Sequence, residues 1–307
     1  MQNAVYAYKK LIVMDINVIL SKSFEKWLIT LGYAGSTVYG SIHYLDDFFF
    51  YLKTRDITEL EAISPVVLAE YYKYLQGRRN KRRSGSLSDN YINSNFNALR
   101  RFSRYLQETG RPFFEVSIRV RPGKEIEKTI LTKEEIQLLY KACGSDYLGS
   151  RDRAILSIYY GCGLRRTEGI SLDVRDILLK ERLILVRSGK GHRERYVPMT
   201  STVMEDLEEY ICQGREHIRS FKSGTNPEGF LLSMQVKRMC GNQVIERIHK
   251  LVQAAGINKP VGLHTLRHSI ATHLLQSGMT LEEVSRFLGH SSLESTQIYT
   301  HLANVEP

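Results

Sequence analysis

The residues of this chain that are best suited to chemistry lie towards its C-terminus. His264 and Arg267 are three positions apart, and Tyr299 follows His290 by nine positions. Residues three apart lie on the same side of a helix, so the first imidazole and guanidinium are expected to face one cleft. A tyrosine oxygen can act as a nucleophile, and a guanidinium binds phosphate oxygens in a forked geometry. The set predicts attack on a phosphodiester by Tyr299, with cations and imidazoles stabilising the pentavalent state.

A second arginine lies upstream, in the stretch Gly-Leu-Arg-Arg-Thr-Glu at residues 163–168. Glycines at 161 and 163 end an apolar helical stretch there, and they allow a sharp turn that lets Arg165 project into a cleft. Glu168 shares the helical face of Arg165 and could orient its guanidinium, whereas Arg166 points about 100° away. A surface salt bridge explains this motif equally well when the motif is considered alone.

Lys190 lies in a Gly-Lys-Gly sequence between two extended segments, residues 182–187 and 194–197. Extended segments joined by a glycine-containing connection predict a β-hairpin, with Lys190 near its tip. The Gly-Lys-Gly sequence is not a nucleotide-binding phosphate loop, because the other residues of that motif and its strand-to-helix switch are missing. ATP binding of that kind is therefore excluded.

The spacing of His264 and His268 raises the alternative of a zinc site. Two zinc ligands on a metalloprotease helix are also four positions apart. That motif requires a glutamate directly after the first histidine, where this chain has Thr265, and no third ligand is evident. We therefore expect no metal and no cofactor, and we expect His268 and His273 to pack or hydrogen-bond within the fold. An apolar stripe on the same helix leaves His264 and Arg267 off the buried face.

Tyr299 is predicted to lie on a short helix of its own. An apolar helical face ends just before Gly289, a typical C-cap residue, so His290 follows directly after a helix end. Residues 291–294 are Ser-Ser-Leu-Glu, a capping box that starts the next helix. A lone tyrosine is more often a core residue than a nucleophile. Its position after Gly-His and the cationic groups elsewhere favour the catalytic interpretation.

The N-terminal part of the chain is predicted to form a small bundle of four helices with short links. The first helix carries an apolar stripe at helical spacing, formed by Phe24, Trp27, Leu28 and Leu31. Ser36 or Thr37 is the expected cap of the second helix. Ser64-Pro65 opens the third helix, and the fourth runs from Ser88 to about residue 106. The aromatic residues on these helices are expected in the core.

A basic segment lies between the third and fourth helices, where five of six consecutive residues are cationic: Arg78, Arg79, Lys81, Arg82 and Arg83. A loop of Ser-Gly-Ser follows at residues 84–86, and the fourth helix adds Arg100, Arg101 and Arg104. Charged runs are usually solvated surface. A basic loop beside a basic helix is better explained by contacts with the phosphates of a duplex, and we favour DNA binding by these residues.

Helical periodicity is lost after residue 110, where prolines, a glycine and scattered charges indicate a linker over residues 111–129. Thr132 to Glu135 then form a capping box that starts a new helix. The expected organisation is an N-terminal helical domain over residues 1–110 and a C-terminal catalytic domain over residues 130–307.

The overall composition favours a polyanionic partner. Lysines and arginines number 43 against 33 acidic residues, which gives a net charge of +10 in a chain of 307 residues. The four cysteines are widely spaced with no Cys-x-x-Cys, which argues against a disulfide framework and for a reducing cytosol. The longest early apolar run, residues 11–14, is too short for a signal sequence or a membrane span.

In their order, these motifs resemble the tyrosine recombinases of the phage integrase family, and their Xer-like branch in particular. The similarity covers residues 131–301. It rests on the complete set, because each motif alone would be weak. The resemblance implies a mainly α fold with a small β-sheet or hairpin in the catalytic domain. It also implies a two-domain DNA clamp, in which the N-terminal domain is the helical core-binding domain.

The same resemblance assigns roles to the candidate residues. Tyr299 attacks the scissile phosphate, forming a 3′-phosphotyrosyl bond and freeing a 5′-hydroxyl. Arg165 and Arg267 neutralise the non-bridging oxygens. His264 is the candidate base for the phenol, and Lys190 is the hairpin lysine that protonates the leaving 5′-oxygen. The remaining member of the set, His290, hydrogen-bonds the pentavalent state.

The implied partner is double-stranded DNA with inverted-repeat sites, on which four copies of the chain assemble in the cytoplasm. Integration or excision, DNA inversion and chromosome-dimer resolution all fit this chemistry. A type IB topoisomerase and a catalytically silent DNA-binding regulator are the alternatives. Relatives usually continue with a helix that docks into a neighbouring protomer, whereas this sequence ends eight residues after Tyr299. The mode of assembly therefore stays open.

Overall fold

A computed structural model describes residues 17–80, 84–120, 129–187, 194–222 and 227–289. The chain divides into two compact units, Met1–Ile126 and Glu127–Pro307. The structure is mainly helical with one small sheet, which confirms the predicted fold class. Within the described ranges, no helix is both long enough and apolar enough to span a membrane.

The N-terminal unit is built from the four predicted helices. They are α1, described over residues 17–30, followed by α2 (Gly35–Thr54), α3 (Pro65–Gly77) and α4 (Asp89–Glu108). The hydroxyls of Ser64 and Ser88 accept hydrogen bonds from backbone amides of the first turns of α3 and α4, and both helices begin where the sequence predicts. The second helix begins at Gly35 and has no side-chain cap, so the predicted cap at Ser36 or Thr37 is wrong.

Aromatic side chains fill the core of this unit, as expected from their helical spacing. Phe24, Phe48 and Phe102 are fully buried, and the buried Tyr71 hydroxyl donates to the amide oxygen of Asn95 at 3.0 Å. Leu31 was predicted on the buried stripe of α1 but is 48% exposed. It directly follows the last residue of α1, at the point where the helix ends.

Part of the predicted linker packs on the helical unit. Phe114 is buried, and alternate residues after it, at 116, 118 and 120, pack against the same core. The hydroxyl of Ser103 in α4 donates to the carbonyl of Phe114, and the guanidinium of Arg100 donates to the carbonyl of Ile118. The expectation that residues 111–120 lack a pattern is therefore wrong. They alternate with a period of two, which is the periodicity of extended chain.

The C-terminal unit contains eight helices of six residues or more within its described residues. They are α5 (Lys133–Lys141), α6 (Tyr147–Leu156), α7 (Arg166–Ser171), α8 (Ser201–Glu209), α9 (Arg215–Ser220), α10 (Gly241–Ala254), α11 (Leu263–Gln276) and α12 (Leu281–Leu288). The capping box at Thr132 and Glu135 is confirmed by hydrogen bonds of 3.2 and 2.8 Å. A π-helical turn, Ser157–Gly161, extends α6 towards the turn before α7.

The sheet of this unit has three antiparallel strands in the order β1 (Ile177–Leu178), β2 (Leu183–Val186) and β3 (Arg195–Pro198). Strands β2 and β3 pair as the predicted hairpin, with Leu185 opposite Tyr196. The two-residue β1 was not predicted, because so short a strand has no readable periodicity. The inward side chains of β2 and β3, including Ile184 and Val197, join the larger core cluster of the unit.

Candidate active site

Arg165 is held at the start of α7 by Glu168. The backbone amide of Arg165 donates to one carboxylate oxygen at 2.8 Å, and its guanidinium donates to the other at 2.7 Å. The chain reaches this point through Gly163, whose φ of +60° lies in the left-handed region that glycine adopts without strain. The predicted contact between Arg165 and Glu168 is therefore confirmed. The turn fixes both ends of the arginine, its backbone and its guanidinium.

A third member of this cluster, Arg195, was missed by the sequence analysis. The guanidinium of Arg195 donates to both carboxylate oxygens of Glu168 at 2.9 Å, in a bidentate ion pair. Its side chain is only 16% exposed. The signal was present in the strand pattern, because Arg195 shares the inward face of β3 with Val197. A charge on an inward-facing position needs a buried partner.

The carboxylate of Glu168 is almost completely buried, with 1% of its side chain exposed. Burial alone would raise the pKa of this carboxyl. The hydrogen bonds from Arg195 and Arg165, together with their charges, outweigh burial and lower the pKa to about 2. Glu168 is therefore ionised, and the cluster of two arginines and one carboxylate carries a net positive charge.

Arg267 was expected off the buried face of its helix, and this expectation is wrong. The residue is 4% exposed, and its guanidinium donates to the carbonyl of Gly163 and, at 2.8 Å, to the carbonyl of Leu288. The long arginine side chain crosses the interior to reach these acceptors. Because both acceptors are neutral carbonyls, they orient the guanidinium without cancelling its charge.

Arg165 and Arg267 come together at the C-terminal end of α12. Arg267 binds the carbonyl of Leu288, and Arg165 binds the next carbonyl, that of Gly289, at 2.6 Å. Gly289 has a φ of +65° and caps the helix in the left-handed conformation, as predicted. The last carbonyls of a helix lack partners within it and carry partial negative charge, so cations are favourable there. Two residues that lie 102 positions apart in sequence thus present guanidiniums at one helix end.

His264 lies in the first turn of α11, and its side chain is exposed. Partial loss of water around the ring lowers the pKa of this histidine, and the positive charges of Arg267, Arg165 and Arg166 lower it further. Burial is the largest cause of this lowering of the pKa, and the arginine charges add to it. A neutral imidazole is the form that can accept a proton.

Several neighbouring residues have structural partners. The guanidinium of Arg166 donates to the side-chain oxygen of Asn242 at 2.8 Å, away from the contacts of Arg165. His273 is buried and shares a hydrogen bond of 2.9 Å with the Tyr160 hydroxyl, as expected of a packed histidine. Among the described residues, no group of three or more histidines, cysteines or acidic residues could hold a metal ion.

Three members of the predicted catalytic set, Lys190, His290 and Tyr299, lie outside the described residues. The structure does establish the positions of Arg165, Glu168, His264 and Arg267. His290 directly follows Gly289 in sequence, and Gly289 binds Arg165 through its carbonyl. Arg165, Glu168 and Arg267 therefore belong to one network of contacts at the end of α12, and His264 lies within reach of their charges.

The predicted DNA-contact arginines of the N-terminal unit have different environments. Arg78 forms an ion pair with Asp47 at 2.9 Å and a hydrogen bond with the Tyr91 hydroxyl, so it holds α2 and α4 together. Arg79 is exposed, and its backbone pairs with Ser86 across the loop. The other three basic residues of this loop, Lys81, Arg82 and Arg83, lie outside the described residues.

The basic residues of α4 also have partners within the unit. Arg100 donates to the side-chain oxygen of Asn97 and to the linker. Arg101 donates to Ser41 at 3.3 Å, and the exposed Arg104 pairs with Glu108 four residues later. Pairs of this exposed kind contribute little to stability, so a phosphate can displace Glu108 from Arg104 at low cost.

Comparisons with known proteins agree with the geometry. The sequence pattern of the phage integrase family matches residues 129–306. A tyrosine recombinase of Pseudothermotoga lettingae is 34% identical over 273 residues, which cover 88% of each chain. The tyrosine recombinase XerD of Pseudomonas putida is 37% identical over 208 residues, covering 67% of this chain and 68% of the relative.

Solved structures share the fold. The XerA recombinase aligns over 92% of this chain and 93% of its own, with 26% identity and a TM-score of 0.51. The XerH site-specific recombinase, solved bound to its palindromic difH substrate, aligns over 94% of this chain and 82% of its own. Its TM-score is 0.70 at 22% identity. The resemblance read from the sequence is confirmed: the chain belongs to the phage integrase family, and it is a tyrosine recombinase, an enzyme that breaks and rejoins DNA.

Proposed function

We propose that Tyr299 attacks the scissile phosphate of duplex DNA, forms a 3′-phosphotyrosyl bond and frees a 5′-hydroxyl. The 5′-hydroxyl of a partner strand then attacks this bond, displaces the tyrosine and completes a site-specific exchange. One ester replaces another in each step, so no external energy source is required. The observation that carries the proposal is the convergence of Arg165 and Arg267 on adjacent carbonyls at the end of α12.

The two arginines would stabilise the pentavalent state. Each guanidinium has five N–H donors and is oriented by the contacts described above. Both guanidiniums would donate to non-bridging oxygens of the scissile phosphate. Because the protein fixes both guanidiniums before the substrate binds, little reorganisation is needed when negative charge develops.

Proton transfer would be divided between His264 and Lys190. The lowered pKa of His264 keeps its imidazole neutral and able to accept the proton of the Tyr299 phenol. Lys190 would donate a proton to the leaving 5′-oxygen, which is a very basic alkoxide without it. His290 would donate a hydrogen bond to the pentavalent state. The chemistry needs no cofactor in this scheme, because protein side chains supply every charge and every proton.

DNA is the partner of the enzyme. We propose that its substrate carries inverted-repeat sites and that four copies of the chain assemble on two such sites in the cytoplasm. The N-terminal unit would close one side of a clamp around the duplex, with residues of the basic loop and α4 on the phosphates. The net charge of +10 supports this arrangement.

A covalent-trapping experiment tests the proposed chemistry. The protein is incubated with nicked duplexes made from the genomic DNA on either side of its gene. Covalent protein–DNA adducts are then detected on denaturing gels. We expect Tyr299→Phe to abolish the adduct while duplex binding is retained, because affinity depends mainly on phosphate contacts. Tyr39→Phe, which changes a tyrosine that is 79% exposed, is the matched control and should form the adduct normally.

The same experiment separates the alternatives. A denaturant-resistant adduct with Tyr299→Phe would identify another nucleophile. Binding without any adduct in the wild-type chain would indicate a regulator that lacks cleavage activity. A separate assay on a supercoiled plasmid identifies a topoisomerase, which would relax the plasmid without regard to sequence and without strand exchange.

A further inference from the structure

The carboxylate of Glu168 is shared unequally between two arginines. Arg195 takes both oxygens with its own fork, at 2.9 Å each. The guanidinium of Arg165 takes one oxygen only, at 2.7 Å, while its second terminal nitrogen donates to the Gly289 carbonyl at 2.6 Å. Arg165 therefore approaches the carboxylate from the side and keeps its other edge towards the end of α12.

This division has a geometric cause. A carboxylate and a guanidinium prefer to pair through two parallel hydrogen bonds. If Arg195 were absent, the second oxygen of Glu168 would be open to the guanidinium of Arg165, which could rotate into the bidentate geometry. Such a rotation would remove Arg165 from the Gly289 carbonyl. Arg195 thus competes for Glu168, and the competition holds Arg165 in its side-on orientation.

Packing supports the same role. A methyl group placed on Gly289 would lie 2.6 Å from Nε of Arg195, so the Arg195 side chain lies directly against the backbone whose carbonyl binds Arg165. Arg195 is also the first residue of β3, and its ion pair therefore ties the hairpin to α7. One side chain contacts Glu168 and the C-cap of α12, the two structures that orient Arg165.

We propose that Arg195 is a positioning residue for DNA cleavage, which holds Glu168 so that Arg165 presents its guanidinium to the scissile phosphate. The proposal rests on the proposed role of Arg165 in phosphate binding. Arg195 acts through Glu168 and Arg165 and does not itself contact the phosphate. This distinction determines the experiment.

A double-mutant cycle distinguishes an indirect role from a direct one. The variants are Arg195→Met, Glu168→Gln and the combination of both, with Arg182→Met as the matched control. Arg182 lies in the turn that precedes β2, and its guanidinium donates to the Ser201 hydroxyl at 3.3 Å, away from the contacts of Glu168. Single-turnover cleavage of the nicked duplex is measured at saturating protein, and duplex affinity is measured separately.

We expect Arg195→Met to slow cleavage roughly 10- to 100-fold, because displacing a reacting group by about 1 Å costs on the order of 100-fold. Duplex affinity should not change, and neither should cleavage by Arg182→Met. Because Arg195 acts through Glu168, the combined variant should be no slower than Glu168→Gln alone. Arg195→Lys keeps the charge but cannot form the fork, so it should recover only part of the rate.

The pH dependence supplies a second readout. In the wild-type chain the pKa of Glu168 is lowered to about 2, so the carboxylate stays ionised across the usable pH range. Loss of Arg195 removes the strongest contacts that oppose the effect of burial, and the pKa of Glu168 then rises. The rate of Arg195→Met relative to wild type should therefore decrease further as pH is lowered. A purely structural loss of activity would give a constant ratio.

Three outcomes would overturn the positioning role: an unchanged cleavage rate in Arg195→Met, effects that multiply in the combined variant, or a loss of duplex affinity that accounts for the lost rate. If Arg195→Met does not fold, the same cycle is run with Arg195→Lys, and the same outcomes decide. Absence of any adduct with the wild-type chain would instead overturn the proposed function, and the positioning role with it.

Discussion

The individual residues of the site differ in how their charges are held. Arg267 is buried, and its guanidinium donates to two neutral backbone carbonyls that orient it. Arg165 and Arg195 share the single negative charge of Glu168, so the positive charge of Arg165 is only partly neutralised. This arrangement orients two cations while the site as a whole stays positive. Such preorganisation is what stabilises charge that develops during a reaction.

The ionised Glu168 makes a pH-dependent contribution to stability. Its pKa is lowered from 4.5 to about 2 in the folded chain. A carboxyl whose pKa is lowered by folding stabilises the folded chain at pH values above its pKa in the unfolded chain. This stabilisation is lost as the pH falls towards the pKa in the folded chain. A lowering of this size corresponds to roughly 3 kcal/mol. We expect Glu168→Gln to have a lower Tm at neutral pH, with a difference from wild type that shrinks below pH of about 4.5. A difference that stays constant to pH of about 3 would contradict this expectation.

The role of Lys190 as general acid can be separated from phosphate binding. We expect Lys190→Ala to cleave ordinary DNA very slowly, because the 5′-alkoxide leaves poorly without a proton. Replacement of the bridging 5′-oxygen by sulfur removes this need, since a thiol has a pKa of about 8.5. The variant should then approach the wild-type rate on the sulfur substrate. Arg267→Ala should not be rescued in this way. If Lys190→Ala cleaves both substrates equally slowly, the lysine binds the phosphate and does not act as the general acid.

At the scale of elements, the site depends on how α7, α12 and β3 meet. Gly163 precedes α7 and Gly289 ends α12, and both have positive φ values. A methyl group on Gly163 would lie 2.7 Å from the side chain of Leu288, which shows how closely the two elements approach. The absence of side chains at these glycines lets the guanidiniums of Arg165 and Arg267 reach the end of α12.

Gly163→Ala tests the importance of this close approach. Gly256 has a similar φ of +67°, but a methyl group at that position would have no neighbour within 4 Å, so Gly256→Ala reports backbone strain alone. We expect both variants to lose about 1–2 kcal/mol of stability from the left-handed conformation. Only Gly163→Ala should also push α12 away and slow covalent cleavage. Cleavage at the wild-type rate in Gly163→Ala would show that α12 tolerates the displacement.

The basic loop is a second element whose role can be measured. Arg78 is already paired with Asp47, so its loss should reduce the Tm of the N-terminal unit more than it reduces DNA affinity. Substitution of Arg79, Lys81, Arg82 and Arg83 by Ala should weaken binding to all sequences. Each lost phosphate contact should reduce the slope of log affinity against log salt by about 0.9. An unchanged slope would show that the basic residues of the loop are solvated and do not contact phosphates.

At the scale of the whole molecule, charge and organisation indicate how the enzyme engages its substrate. The chain carries a net charge of +10 and folds as two compact units. The family match lies entirely within the C-terminal unit, over residues 129–306. The arginines proposed to bind DNA in the N-terminal unit would therefore add affinity to a unit that carries its own cations.

The proposed assembly of four copies predicts a stoichiometry. We expect sedimentation of the chain with duplexes that each carry one inverted-repeat site to give a species of four chains and two duplexes. The Tyr299→Phe variant should form the same species, because assembly does not require cleavage. A limiting species of two chains on one duplex, at protein concentrations that support exchange, would contradict the proposed tetramer.

The sequence by itself identified the candidate reactive groups and determined most helices of this protein. Helical spacing, caps and turns are local properties of a chain, and so are the motifs that contain Arg165 and Lys190. Only the tertiary structure decided that Arg267 is buried against the carbonyls of Gly163 and Leu288, and that Arg195 holds Glu168. These contacts join residues that lie 21 to 104 positions apart. Periodicity predicts which face of an element is apolar. Long-range packing determines which polar group pairs with a charged side chain that points into the interior.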